Sequence, residues 1–114
     1  MSNNDWKHLT KSELTLALEA RQAGNEGRAR VCARRAAGHV AGEYLRREGV
    51  AMITESALDR LRFLESYPNS PELTRTTVNH FLIHITPEHK LPIEADLITD
   101  VGLLARDLLG EELE

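Results

Sequence analysis

Four basic side chains of one predicted helix have the chemistry to hold a phosphate group. At 100° per residue, Arg28, Arg35, His39 and Arg46 fall on one side of a helix over residues 26–48, opposite an alanine-rich stripe. A guanidinium group presents two N–H donors in the geometry of phosphate oxygens, so these residues predict a face that binds an anionic ligand. A solvated basic face without a ligand is the alternative interpretation.

Three histidines, His80, His84 and His89, are the residues with the chemistry of a metal site. The first two are four residues apart and share a helix face, and a third histidine in the following loop gives three ligands suited to zinc. No cysteine or paired carboxylate completes the pattern, because Cys32 is the only cysteine. We therefore predict no metal and no cofactor, with polar-face histidines as the simpler interpretation.

The charge distribution is uneven. The chain of 114 residues has a formal net charge of -4, yet residues 28–47 contain six arginines and one glutamate. This stretch carries +5, and the remainder must carry -9. Since a contact is governed by the nearest charges, an anionic partner fits despite the acidic balance. Electrostatic complementarity between packed helices or between protomers is the alternative.

Targeting signals are missing from the sequence. No apolar run reaches the roughly 18 residues that span a bilayer, and residues 1–9 have neither a basic nor an apolar segment of an export signal. We expect a cytoplasmic protein without a membrane anchor.

Periodicity and helix-end signals predict an all-α fold, a four-to-five-helix antiparallel up-and-down bundle. The chain is expected to be one domain over residues 1–114, with residues 1–9 an N-terminal arm and a core over about residues 10–110. The signals are a capping box at Thr10, Asn25 before and Gly49 after the second helix, Ser56 before the third, Pro71 at the start of the fourth and Gly110 after the fifth.

A second strip of apolar and small residues accompanies the alanine stripe of the second helix. It consists of Val31, Gly38, Ala41, Gly42 and Leu45. One helix of a small bundle ordinarily needs a single stripe facing its own core. The second strip therefore predicts a homodimer, in which one patch serves both protomers. Coverage by the last helix of the same chain is the alternative.

The stretch from Ala29 to Gly49, followed by the Leu-rich segment 57–64, resembles the second and third helices of HEPN domains, the higher eukaryotes and prokaryotes nucleotide-binding domains. The resemblance implies a helical bundle, usually a homodimer, with nucleotide- or RNA-related roles. It also directs attention to a nucleotidyltransferase as a possible partner protein.

Many HEPN members carry an Arg-x4-6-His signature of a metal-independent ribonuclease, and the resemblance implies Arg75 and His80 as the catalytic pair. Histidine transfers protons near neutral pH, and arginine stabilises charge on a phosphate. A spacing of five places the two side chains about 140° apart on a regular helix, so they converge only in a distorted helix or across protomers. The leading hypothesis is therefore a non-catalytic module that binds a nucleotide, RNA or protein partner. Ribonuclease activity and a purely structural interaction protein are the alternatives.

Overall fold

The computed structural model describes residues 5–51, 54–83 and 96–113, and these residues form an all-helical bundle without a β-strand. None of the described helices is long and apolar enough to cross a membrane. The five helices are α1 (Asp5–Gln22), α2 (Glu26–Arg47), α3 (Ala57–Ser66), α4 (Glu72–Leu82) and α5 (Leu97–Leu109).

The first helix begins earlier than its sequence signals predict. Thr10 was expected to be its N-cap, but α1 begins at Asp5, so residues 5–9 are helix rather than an arm. Thr10 is fully buried and its hydroxyl donates to the carbonyl oxygen of Trp6 at 2.6 Å. A threonine that bonds back to the preceding turn in this way fits a helix interior. Trp6, buried in the core, explains why the extra turn forms.

The other helix ends follow the predicted signals closely. Asn25 caps α2 through a hydrogen bond to the N–H of Arg28, and Ser56 caps α3 through the N–H of Asp59. Gly49 and Gly110 have φ angles of 79° and 66°, the left-handed conformation that glycine adopts without strain after a helix. The fourth helix begins one residue after the expected Pro71. The loop predicted over residues 86–92, with Pro87 and Pro92, lies outside the described residues.

Helix α2 is the centre of the bundle and contacts α1, α3 and α5. Its alanine stripe is completely buried, which allows the neighbouring helix axes to approach closely. The larger side chains of the other helices fill the space around it, among them Leu61, Leu64, Phe81 and Leu104. The all-α bundle expected from the sequence is confirmed.

One connection departs from the predicted antiparallel alternation. Gly38 in the middle of α2 lies against Ala57 at the start of α3, and the Tyr67 hydroxyl beyond the end of α3 lies 3.3 Å from Glu48. α3 therefore begins beside the middle of α2, and α2 and α3 run in the same general direction. The nine residues between Arg47 and Ala57 are long enough to connect the end of α2 to that point.

Helix α3 of the same chain packs on the small residues of the second strip of α2. A Cβ atom on Gly38 would lie 2.6 Å from the Ala57 Cβ, and one on Gly42 would lie 2.7 Å from Nη1 of Arg60. Ala41 and Leu45 are fully buried, and only Val31 stays exposed. The inference that this strip needs a second protomer was wrong, because a helix of the same chain covers it. The homodimer stays a prediction without that support.

Two arginines tie distant parts of the chain together. Arg21 at the end of α1 pairs with Glu26 on α2 and with Asp96, the N-cap of α5. Arg47 at the end of α2 pairs with Glu43 and Glu111, and its guanidinium lies 6.0 Å from the Trp6 ring centroid. Arg47 belongs to the arginine-rich stretch over residues 28–47, so part of the positive charge of that stretch is neutralised within the chain.

The close contact between α2 and α3 predicts opposite effects for two glycine-to-alanine substitutions. Gly38→Ala should destabilise the protein by about 1–3 kcal/mol, because the new methyl group must displace the backbone of α3. Gly102→Ala on α5 is the matched control: a Cβ there meets nothing within 4 Å among the described atoms, so the gain in helix propensity should stabilise by up to about 1 kcal/mol. Urea denaturation measures both. Equal stability of the two variants would contradict the packing of α3 on Gly38.

A buried carboxylate predicts a loss of stability in acid. Hydrogen bonds from Arg46 and then Arg47 lower the pKa of Glu43 below its usual 4.5. A lowered pKa in the folded state stabilises the protein above the unfolded pKa, and this stabilisation disappears as the pH falls through the folded pKa. Glu43→Gln should therefore lower stability at pH 7 much more than at pH 3, as followed by urea denaturation at each pH. Glu65→Gln, on the exposed face of α3, is the control and should change stability little at either pH. A loss for Glu43→Gln that is the same at both pH values would contradict this role.

Candidate functional site

An open groove of about 850 Å³ lies on one side of the bundle, with α2 as its floor. Leu9 of α1 forms one wall, and the first turn of α3 with the residues before it forms the other. The α2 residues of the floor are Val31, Arg34, Arg35, Gly38 and His39. The volume lies within the range of small-molecule sites in proteins, about 300–1,000 Å³.

Three guanidinium groups converge on this groove. Arg35 is exposed on α2, and Arg34 beside it is half-buried. The Nε of Arg34 donates to the carbonyl oxygen of Phe81 in the last turn of α4 at 2.9 Å. Arg60 of α3 lies over Gly42, where the absence of a side chain makes room for its guanidinium. Arg34 and Arg35 come from α2, and Arg60 comes from α3. The packing of α3 on α2 therefore brings the three arginines to one groove.

The positive charge of the groove is not balanced by ion pairs within the described chain. Arg60 donates to the carbonyl oxygens of Thr54 at 3.0 Å and Gly38 at 3.4 Å, so its partners, like that of Arg34, are neutral backbone groups. None of the three arginines forms a salt bridge with a carboxylate of the described residues, and Glu55 is the one acidic residue of the lining. Burial, and then the charge of Arg30, lower the pKa of the Arg34 guanidinium. An anion in the groove would relieve that repulsion.

The amino-terminal end of α3 adds hydrogen-bond donors to the same wall. The Ser56 side chain accepts from the N–H of Asp59, and the Ser56 carbonyl accepts from the N–H of Arg60. The N–H groups of Ala57 and Leu58 precede the first intrahelical bonds, and both residues line the groove. A negative group beside them is favoured by the dipole of the helix.

Apolar side chains line the rest of the groove. Leu9, Val31 and Leu58 are exposed by 47%, 43% and 40% of their surface, although each is a large aliphatic residue. Water contact with so much apolar surface is unfavourable, and a planar or aliphatic ligand body would replace it. The groove thus joins a cationic floor to an apolar rim.

The structure brings together two of the four residues predicted to bind an anion. Arg35 and His39 line the groove, whereas Arg28 lies at the exposed start of α2, outside it. Arg46 donates to both carboxylate oxygens of Glu43, at 2.9 and 2.7 Å, which occupies its guanidinium. The continuous basic face expected along α2 is therefore interrupted towards its carboxyl end.

Arg34 and Arg60 were missing from the predicted binding residues. The signal for Arg34 was its position next to Arg35 in an arginine-rich helix. For Arg60, the spacing of Gly38 and Gly42 indicated a close approach but not which side chain would lie over the second glycine. The placement of α3 against α2 decides which side chain lies over Gly42, and the local sequence pattern does not specify that placement.

Arg75 and His80, the predicted catalytic pair, bond to different parts of the molecule. Nη2 of Arg75 donates to the carbonyl oxygens of Tyr67 at 3.0 Å and Pro68 at 3.3 Å. A hydrogen bond of 3.0 Å joins Nδ1 of His80 to the buried Asp100 on α5. Asp100 holds the imidazole in a fixed orientation, as a carboxylate does for a general base, but Arg75 is directed towards the α3–α4 loop.

The described residues contain no group of three side chains able to hold a metal ion. His84 and His89, which would complete the predicted three-histidine site with His80, lie outside the described residues. Cys32 is buried in α2 and unpaired within the described chain.

Comparisons with protein-family models, with curated proteins and with solved structures each find no match for this chain. The resemblance to HEPN domains therefore stays a prediction, and functional assignment depends on the residues themselves.

The separate bonding of Arg75 and His80 predicts that the pair does not cleave RNA. We expect the purified protein to leave a fluorescent single-stranded RNA intact at pH 7, with or without divalent metal, and His80→Ala to behave identically. Cleavage that persists in EDTA, and that both Arg75→Ala and His80→Ala abolish while the variants stay folded by circular dichroism, would contradict this prediction.

Proposed function

We propose that this chain is a non-catalytic binding module whose ligand is a phosphate-bearing small molecule of the nucleotide type, held in the groove between α1, α2 and α3. The observation that carries the proposal is the convergence of Arg34, Arg35 and Arg60 on one groove without carboxylate partners among the described residues. Unneutralised guanidinium groups in a concave site favour an anion, because phosphate accepts charge-assisted hydrogen bonds from them.

A compact ligand fits the charge distribution better than a long RNA strand. Binding along a strand requires cations that follow the phosphate backbone. Beyond the groove, Arg46 is paired with Glu43, and Arg47 with Glu43 and Glu111. Tyr44, the aromatic residue of α2, is buried in the core and offers no surface for base stacking. In the groove, three arginines without carboxylate partners among the described residues lie beside apolar side chains, which offer a surface for a base or a similar planar group.

The remaining expectations concern the cellular setting. The proposal also includes a homodimer, a nucleotidyltransferase partner and a cytoplasmic location. These three expectations are based on the sequence resemblance and on composition alone. The groove is formed by a single chain, so ligand binding as proposed here does not require a second protomer.

The proposal predicts that one charge reversal in the groove weakens binding selectively. Adenosine 5′-monophosphate serves as the probe, titrated by calorimetry at low and moderate salt. Arg35→Glu should weaken its binding by about tenfold or more, because a charge-assisted contact is replaced by repulsion. Added salt should also weaken binding.

Arg62→Glu is the matched control, because it makes the same charge change on the exposed side of α3, outside the groove. It should alter the affinity less than about twofold, as for distant exposed charges. Equal effects of the two charge reversals on affinity would contradict binding of the ligand in the groove. Tighter binding of an octanucleotide RNA without terminal phosphates, together with a loss on Arg28→Glu, would identify an RNA strand as the ligand instead.

A further inference from the structure

His39 lies on α2, in the floor of the groove. Its side chain lines the groove and is half-buried. Burial, and then the charge of Arg60, lower its pKa below the usual 6.5, so the imidazole of the empty protein is mainly neutral at pH 7. A neutral imidazole is the weakest of the basic groups on the groove floor and the one whose charge a ligand can change.

Glu13 of α1 has a carboxylate oxygen whose acceptor capacity is unused within the described chain. The Oε2 atom of Glu13 is buried and has no hydrogen-bond partner within the described chain. The charge of Glu13 acts on His39 and favours its protonated form. A buried oxygen without a partner is costly, and a protonated imidazole is a group able to compensate its charge.

The charged groups around His39 oppose one another while the groove is empty. Glu13 on α1 favours the imidazolium, and Arg60 on α3 opposes it. Arg34 and Arg35 on α2 add positive charge to the same groove, and Glu55 before α3 adds one negative charge. A phosphate dianion in the groove would reverse this balance, because its charge offsets the arginines and leaves His39 between two negative groups.

We propose that His39, supported by Glu13, is a proton-coupled ligand residue of the groove, which takes up a proton from solvent when a phosphate monoester binds. This inference rests on the proposed function of the groove. A solvent proton adds to the free ring nitrogen of His39, no covalent bond to the ligand forms or breaks, and the resulting N–H donates to a phosphate oxygen. His39 thereby selects dianionic phosphate monoesters over singly charged diesters.

The linkage fixes the direction of the pH dependence. Because binding favours the protonated form, the pKa of His39 is higher in the complex than in the free protein, and affinity falls as the pH rises between these two values. Proton uptake is greatest in that interval, which includes the region just above the free pKa of His39.

Calorimetry in two buffers of different ionisation enthalpy measures this uptake directly. We expect net proton uptake, with His39 contributing at most one proton, per bound adenosine 5′-monophosphate at pH 7 for the natural sequence. His39→Gln keeps a polar side chain that cannot titrate in this range, and its net uptake should fall to zero or to a small release, because binding of the dianion removes the proton from the remaining monoanionic phosphate. His8→Gln, an exposed histidine of α1 outside the groove, is the matched control and should retain full uptake.

Further variants and ligands separate this inference from the groove itself. Glu13→Gln should reduce uptake while leaving binding measurable, and the methyl ester of adenosine monophosphate should bind with less uptake than the monoester. Binding that depends on Arg35 but has equal uptake in His39→Gln and the natural sequence would overturn the role of His39 and leave the groove intact. If neither adenosine monophosphate nor inorganic phosphate binds, both the groove proposal and this one are overturned.

Discussion

The contact between Gly38 and Ala57 is the constraint on which the rest of the structure depends. It brings the start of α3 onto the middle of α2, closer than any side chain at position 38 would allow. Three consequences follow from this one approach. The second small-residue strip of α2 is covered, Arg60 is placed over Gly42, and the first turn of α3 becomes a wall of the groove. A displacement of α3 would therefore change the core and the candidate site together.

Charge pairing divides the arginines of this chain into two groups with different roles. Arg21, Arg46 and Arg47 bond to carboxylates, and Arg21 and Arg47 thereby connect one helix to another or to the residues after α5. Arg34 and Arg60 bond instead to backbone carbonyl oxygens, which fix their positions without neutralising them. The difference matters for function, because a positioned but unneutralised guanidinium group retains its capacity to attract an anion. Net charge gives no indication of this division, since the chain as a whole is acidic.

His39 and His80 are the same residue type, but their surroundings make different chemistry available to them. His80 is held by the buried Asp100 of α5, and its expected partner Arg75 is bonded to the α3–α4 loop. His39 instead lines an open groove together with three arginines, and the charge of Glu13 favours its protonated form. Sequence spacing predicted a catalytic role for His80, whereas His39 is the histidine that lines the groove. The chemistry available to each imidazole is set by the helices packed against it.

The sequence by itself determined the local features of this protein. Hydrophobic periodicity specified the all-α class, and capping residues such as Asn25 and Ser56 specified where helices begin, because both depend on near neighbours in the chain. The early start of α1 escaped prediction, since burial of Trp6 stabilises it from a distance. Only the tertiary structure decided which helix covers Gly38 and Gly42, that α2 and α3 run in the same direction, and that Arg34, Arg35 and Arg60 share a groove. These features depend on the path of the chain between helices. A strip of small residues can be covered by any of several helices, and no local sequence signal shows which one covers it.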